Sequence, residues 1–190
     1  MSERREELLE AAYGYVLEHG LADLSLRPLA AAIGSSPRVL IFLFGSKEGL
    51  VRELLARARA DELRLVGDVG AAPIGLDAAV ETVWDWLAAD EHRPLLRLWV
   101  EAYARSLVEP DGAWGGFARA TVEDWLGVLA ACQPAAERDS ADGAAQRTLA
   151  LAVLRGALLD LLATGDAERV RAALSVLGDA RGDGIRRAVR

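Results

Sequence analysis

The sequence predicts an all-α fold, in which a three-helix N-terminal module is joined to a larger helical bundle. Three observations predict it. Apolar residues recur at three- and four-residue spacing along most of the chain, no stretch alternates apolar and polar residues as a half-buried strand does, and glycine, proline and serine clusters cut the chain into helix-sized segments. Trp84, Trp86, Trp99, Trp114 and Trp125 all lie in the middle of the chain and the first fifty residues hold no tryptophan, so the N-terminal segment reads as its own unit.

From Glu3 to His19, Leu8, Ala12, Tyr15 and Val16 follow the spacing of an amphipathic helix, and Gly20 stops it. A second helix follows Ser25 as N-cap, with Leu26, Leu29, Ala30 and Ile33 on one face and Pro28 tolerated in the first turn. Gly34 ends that helix, Ser35 and Ser36 offer a new cap, Pro37 takes the favoured first position, and a short third helix runs to Phe44 before Gly45. Ser46 caps a long helix carrying Leu50, Leu54 and Ala58, which ends in the mid-sixties before the breakers Gly67, Gly70, Pro73 and Gly75. Further helices are expected at roughly 77–89, 93–108 and 115–131, then a polar loop over 134–143. A strongly apolar helix from Ala144 to Thr164 ends at Gly165, and Asp166 caps a last helix carrying Val170, Leu174 and Leu177. The tail from Gly178, rich in glycine and arginine, is expected to be mobile.

A chain of 190 residues with 52% hydrophobic content can bury one substantial core. The single cysteine, Cys132, excludes an internal disulfide framework and CxxC-type metal or redox sites, which fits a cytoplasmic location. Residues 1–10 lack the apolar core of a signal peptide, and Arg155 and Asp160 interrupt the longest candidate membrane span. The net charge of -7 argues against nonspecific coating of nucleic acid, so local geometry must supply any affinity for phosphates. Lys47 is the only lysine.

Two short helices joined by the tight Gly34-Ser35-Ser36 turn and braced by a preceding helix form the arrangement that projects a second helix into the DNA major groove. The run Leu8, Leu9, Ala11, Ala12, Gly20, Leu29, Ala30, Ile33, Gly34, Ser36, Leu40, Phe44, Ser46, Lys47, Glu48 and Leu50 resembles the N-terminal signature of the TetR family in residue type and spacing. The resemblance covers about a quarter of the chain. It implies a helix-turn-helix DNA-binding domain over 1–46, a helical effector-binding and dimerisation domain over 47–178, and a flexible basic tail over 179–190. By position it implies that Leu40 and Phe44 pack the third helix onto the core, that Ser36, Arg38 and Phe42 lie at the groove, and that Ser25, Arg27 and Lys47 meet flanking phosphates. Lys47, in the first turn of its helix, is placed so that free backbone N–H groups and side chain can hold one phosphate together. Arg38 can either read guanine in a bidentate contact or hold phosphate.

The third helix departs from the family pattern. Ile41 and Leu43 stand where most members carry a tyrosine and then a polar residue or histidine, which leaves 39–44 wholly apolar. Such side chains can meet thymine methyl groups, so base selectivity is either low or biased toward methyl-rich edges, or the helix can pack against another protein.

The resemblance also implies a homodimer formed by the last two long helices, with Leu154, Gly156, Leu158, Leu162, Val170 and Leu174 at the interface and Gly156 permitting close approach; the alternative is a buried core helix in a monomer. Two-fold symmetry then calls for a near-palindromic double-stranded operator. It further implies an effector cavity among the middle helices, for which Trp84, Trp99, Tyr103 and Trp125 are the aromatic candidates and an apolar or aromatic small molecule the natural ligand. Core packing is the competing role for each of them. The expected function is a transcriptional regulator, a repressor released by such a molecule. The alternative is a protein of the same shape that binds a ligand or a protein partner without specific DNA binding.

No catalytic residue, cofactor, metal or membrane association is expected. His19 reads as a helix C-terminal partner, His92 as a loop or first-turn residue, and no nucleophile, P-loop or zinc motif is present.

Overall fold

The computed structural model of the chain describes residues 3–21, 23–67 and 73–176. Among them the elements run α1 (Glu3–His19), α2 (Leu26–Ala32), α3 (Pro37–Phe44), α4 (Lys47–Gly67), α5 (Leu76–Ala88), a single 3-10 turn at Asp90–His92, α6 (Arg93–Val108), α7 (Phe117–Cys132), α8 (Ala135–Arg138) and α9 (Ala141–Thr164). Residues 167–176 form a further helix, α10, and no strand occurs among the described residues. Gly70, Leu177 and the basic tail over 179–190 lie outside the described residues.

The chain divides into two compact units, residues 1–65 with 94–124, and residues 66–93 with 125–190. In the first, α1 buries Leu8, Leu9, Ala12, Tyr13 and Val16, α2 buries Leu29 and Ala30, and α4 buries Leu50, Val51, Leu54, Leu55 and Ala58. Helices α1 and α4 lie side by side in the same direction, because three cross-links join residues at a nearly constant offset. Arg5 donates to Glu53 (2.7 Å), Arg57 to Glu10 (2.5 Å) and Tyr13 to Asp61 (3.2 Å). In the second unit α5 packs against α9, burying Leu76, Ala79, Val80, Val83, Trp84 and Leu87 on one side and Ala150, Leu151, Leu154, Ala157, Leu158 and Leu161 on the other.

Helix α4 runs through Gly67 instead of stopping before it, and three further boundaries differ from the expected ones. Helix α7 begins at Phe117 rather than near 115, because Gly116 adopts φ +78° and the Ser106 hydroxyl accepts the Ala118 N–H at 3.0 Å, closing the helix start there. The stretch 134–143 is not wholly loop, since α8 occupies Ala135–Arg138 and α9 starts at Ala141. Ser140 caps α9 by accepting the Gly143 N–H at 2.9 Å. Gly143 makes this possible, since a Cβ there would fall 1.9 Å from the Glu137 carbonyl oxygen.

A similar close approach fixes the start of α4. Ser46 accepts the Gly49 N–H at 3.0 Å, and a Cβ on Gly49 would sit 2.1 Å from the backbone carbonyl oxygen of Phe44. Gly49→Ala should therefore destabilise the chain by about 1–3 kcal/mol, as overpacking against backbone does. A thermal melt of the variant reads the loss.

Candidate nucleic-acid interface

The segment from Ser25 to Lys47 contains Arg27, Arg38 and Lys47 and no aspartate or glutamate, in a chain of net charge -7. This gap in the acidic distribution is readable in the sequence, and sequence reasoning passed over it. Three cations without a carboxylate favour phosphates at this segment, against the net negative charge of the chain as a whole.

Within it, α2 ends in a hydrogen-bonded reversal. Gly34 takes φ +63°, its N–H donates to Ala31, and the Ser35 N–H reaches back to Ala30 at 2.8 Å. The chain turns through 101° from α2 to α3, which is the crossing of a helix-turn-helix pair. Ser36, extended at φ -133°, accepts the Val39 N–H at 3.3 Å, Pro37 opens α3, and Gly45 at φ +79° closes it. Leu40 and Phe44 are buried, as their role in packing α3 requires, while Val39 and Ile41 are each 39% exposed and Phe42 is 85% exposed.

Among the sequence-derived site residues, Arg27, Arg38, Lys47 and Ser25 are exposed and Ser36 is half-buried. Ser25 holds the N-cap position of α2, but its side chain makes no capping bond. Lys47 opens α4 beside Glu48, whose carboxyl is held below the usual range by hydrogen bonds from its own backbone N–H and from Ser46.

Sequence reasoning missed Arg5. Its guanidinium donates to the Leu43 carbonyl at 3.4 Å, pairs with Glu53, and stands over the Phe44 ring at 5.0 Å. It thus ties the C-terminal end of α3 to α1 and α4, a positioning contact that no local spacing signals.

The same braces carry a pH signature. Burial first, and then the negative charge of Asp61, push the Tyr13 phenol above its ordinary value of 10.0. Burial pulls Asp61 upward, but bonds from Arg64, Arg57 and Tyr13 outweigh it and hold the carboxyl below its usual range. Tyr13 has a raised folded pKa, so its contribution is full below pH about 10 and is lost above it, where the unfolded phenol ionises first. Asp61 has a lowered one, so its contribution is full above pH about 4 and fades on further acidification. The melting temperature should therefore be level in this respect between those limits, and Tyr13→Phe should flatten the alkaline limb.

The aromatic effector candidates fall in both compact units. In the first, Trp99 is buried and stacks on Tyr103, ring centroids 4.9 Å apart. In the second, Trp84 is only 1% exposed and Trp125 is buried. The indole N–H groups of Trp84 and Trp99 are buried without a hydrogen-bond partner. An open cleft of about 300 Å³ in the first unit is lined by Arg52, Leu55, Arg59, Phe117 and neighbours and includes none of the four aromatic candidates.

His19 donates to the Tyr15 carbonyl at 2.9 Å at the end of α1, and His92 to the Trp86 carbonyl at 2.7 Å while stacking on that ring. Cys132 is buried, donates to the Val128 carbonyl, and has its thiol pushed up by burial. Each of these side chains serves packing or a helix end.

On α9 and α10 the expected interface residues divide. Leu154, Leu158 and Val170 are buried within the protomer at 3–4% exposure. Leu162 and Leu174 are half-buried, and Gly156 is exposed. The outward stripe of α9 is Ala145, Leu149, Ala152, Gly156, Leu159 and Ala163, spaced alternately four and three residues apart.

Residues 8–54 match the family described as bacterial regulatory proteins, tetR family. Among curated proteins the chain is similar to the HTH-type transcriptional regulator BetI of Stenotrophomonas maltophilia, 28% identical over 113 residues, spanning 57% of this chain and 57% of that one. Among solved structures, a TetR transcription regulator from Haloarcula marismortui superposes with a TM-score of 0.73 at 20% identity, covering 94% of this chain and 96% of that one. The multidrug binding protein EbrR complexed with ethidium superposes with a TM-score of 0.67 at 28% identity, covering 92% and 98%.

Proposed function

We propose that the chain is a TetR-family DNA-binding transcriptional regulator, a repressor released from a near-palindromic operator by an apolar or aromatic small molecule. The observation that carries this reading is the acid-free segment 25–47, bent through 101° and presenting the outer side of α3 to solvent. Residues 1–46 read DNA, and 47–178 hold the effector and the dimer contact. Arg38 and Phe42 enter the major groove beside Ser36, while Ser25, Arg27 and Lys47 hold phosphates.

A second copy of the chain covers the outward stripe of α9. Its four-three spacing is that of paired helices, and Ala152 and Gly156 keep the backbones close. A Cβ on Gly156 would meet nothing within 4 Å in the protomer, so the protomer itself has no need of glycine there. A mid-helix glycine costs about 1 kcal/mol relative to alanine, and close approach of a partner helix gives it a purpose. The symmetric pair sets two copies of α3 about 34 Å apart, one turn of DNA.

The effector reading rests on the aromatic inventory and the unpartnered indole N–H groups of Trp84 and Trp99. The similarity to a multidrug binding protein complexed with ethidium suggests ethidium as a first probe, with tryptophan quenching as the readout. A ligand of this kind acts through unequal affinity for the operator-bound and released conformations.

A gel-shift titration against the DNA upstream of the chain's own coding region tests the function. If about four to six phosphates are neutralised, the log-log salt slope is near -4 to -5. Because Lys47 is the only lysine, amine acetylation reports on it directly. Bound operator should protect Lys47 and added salt alone should not, whereas equal labelling with and without DNA would remove its phosphate role. The apolar exposure of Phe42 favours one other reading, a bundle whose α3 docks a protein partner, and failure to shift any DNA would favour it.

A further inference from the structure

We propose that α3 selects its half-site by thymine methyl groups, with Phe42 as the principal specificity residue and Val39 and Ile41 beside it; this rests on the DNA-binding reading above. The exposed side of α3 consists of Arg38, Val39, Ile41 and Phe42. Arg38 is the only hydrogen-bonding side chain among these four. Phe42, at 85% exposure, projects furthest into solvent, and Val39 and Ile41 each expose 39%.

The neighbours of this surface define its occupant. Arg27, Arg38 and Lys47 are exposed on the same segment, with no carboxylate between residues 25 and 47, so the partner is polyanionic, yet its centre must be apolar. An apolar side chain pressed against a base edge that presents only donors and acceptors leaves them without water or partner, at a cost. The thymine C5-methyl is the apolar group that the unmodified major groove offers. A duplex with thymines at the steps around the Arg38 contact therefore meets both demands at once. Cytosine carrying a 5-methyl group presents the same chemistry.

The test begins with selection of duplexes from a random pool by the full-length chain. The selected site is then remade with deoxyuridine for thymidine, which deletes the methyl and leaves every hydrogen-bonding edge intact. Wild-type affinity should fall about fourfold for each contacted methyl removed. Phe42→Ala, at a position that packs little in the protomer, should bind the thymine site more weakly and lose most of the uracil penalty, closing a double-mutant cycle between side chain and methyl. An unchanged melting temperature for the variant separates this from misfolding.

Specific binding with no uracil penalty would overturn methyl reading and leave the regulator assignment standing. An equal uracil penalty in wild type and Phe42→Ala would overturn the role of Phe42. Enrichment of no sequence would overturn selection by α3, and absence of any DNA binding would overturn the reading beneath it.

Discussion

Gly156→Arg should convert the proposed dimer to monomers and lower operator affinity on the order of a thousandfold, because the second half-site then no longer benefits from a tethered neighbour. The substitution puts a long cation at the centre of the outward stripe Ala145, Leu149, Ala152, Gly156, Leu159 and Ala163. In the protomer a side chain at 156 meets open space, so folding should be preserved. In a symmetric pair the two arginines would face each other across the seam, and like charges without a partner are costly there. Gly156→Ala makes a graded companion. It should raise protomer helix stability by up to about 1 kcal/mol while weakening association. Sedimentation velocity reads the assembly and a gel shift the affinity, and a Gly156→Arg chain that remained dimeric would move the interface off α9.

Arg38→Ala should weaken operator binding about tenfold or more per half-site, hence about a hundredfold or more for the symmetric site, while binding to unrelated DNA changes little. The sequence alone leaves Arg38 between guanine recognition and phosphate contact. Its position in the first turn of α3, exposed and next to the cap Ser36, is the part of a recognition helix that reaches base edges. A phosphate role would instead reduce specific and nonspecific affinity alike and lower the salt slope by about one for each phosphate no longer neutralised. Affinity for operator and for scrambled duplex, each measured across a salt series, separates the two. Arg38→Lys should recover little, since an ammonium cannot reproduce the bidentate fork.

The helix-turn-helix was legible because its boundaries are set by local chemistry. Ser36 and Pro37 begin α3, Gly34 and Gly45 take positive φ at the ends of α2 and α3, and Leu40 and Phe44 face inward at four-residue spacing. The short helix α8 and the early start of α9 were hidden, because both depend on Gly143 approaching the Glu137 carbonyl, a proximity that no propensity records. The inner and outer sides of α9 were not separable in the sequence, for a different reason. Helix α9 is apolar on more than one side, so composition cannot tell Leu154 and Leu158, which pack inside the protomer, from Leu149 and Leu159, which are 47% and 52% exposed. Only packing against α5 decides which side is inner. Arg5 escaped notice for the same reason, because its partners Leu43 and Glu53 lie 38 and 48 residues away.

Methylation interference with dimethyl sulfate on the upstream DNA reports directly on whether the outer side of α3 sits in the major groove, twice. Methyl groups on guanine N7 should block binding in two patches centred one helical turn apart, about 10–10.5 base pairs, and both patches should weaken together in Arg38→Ala. A bound complex indifferent to N7 methylation, or one sensitive at a single patch only, would contradict it.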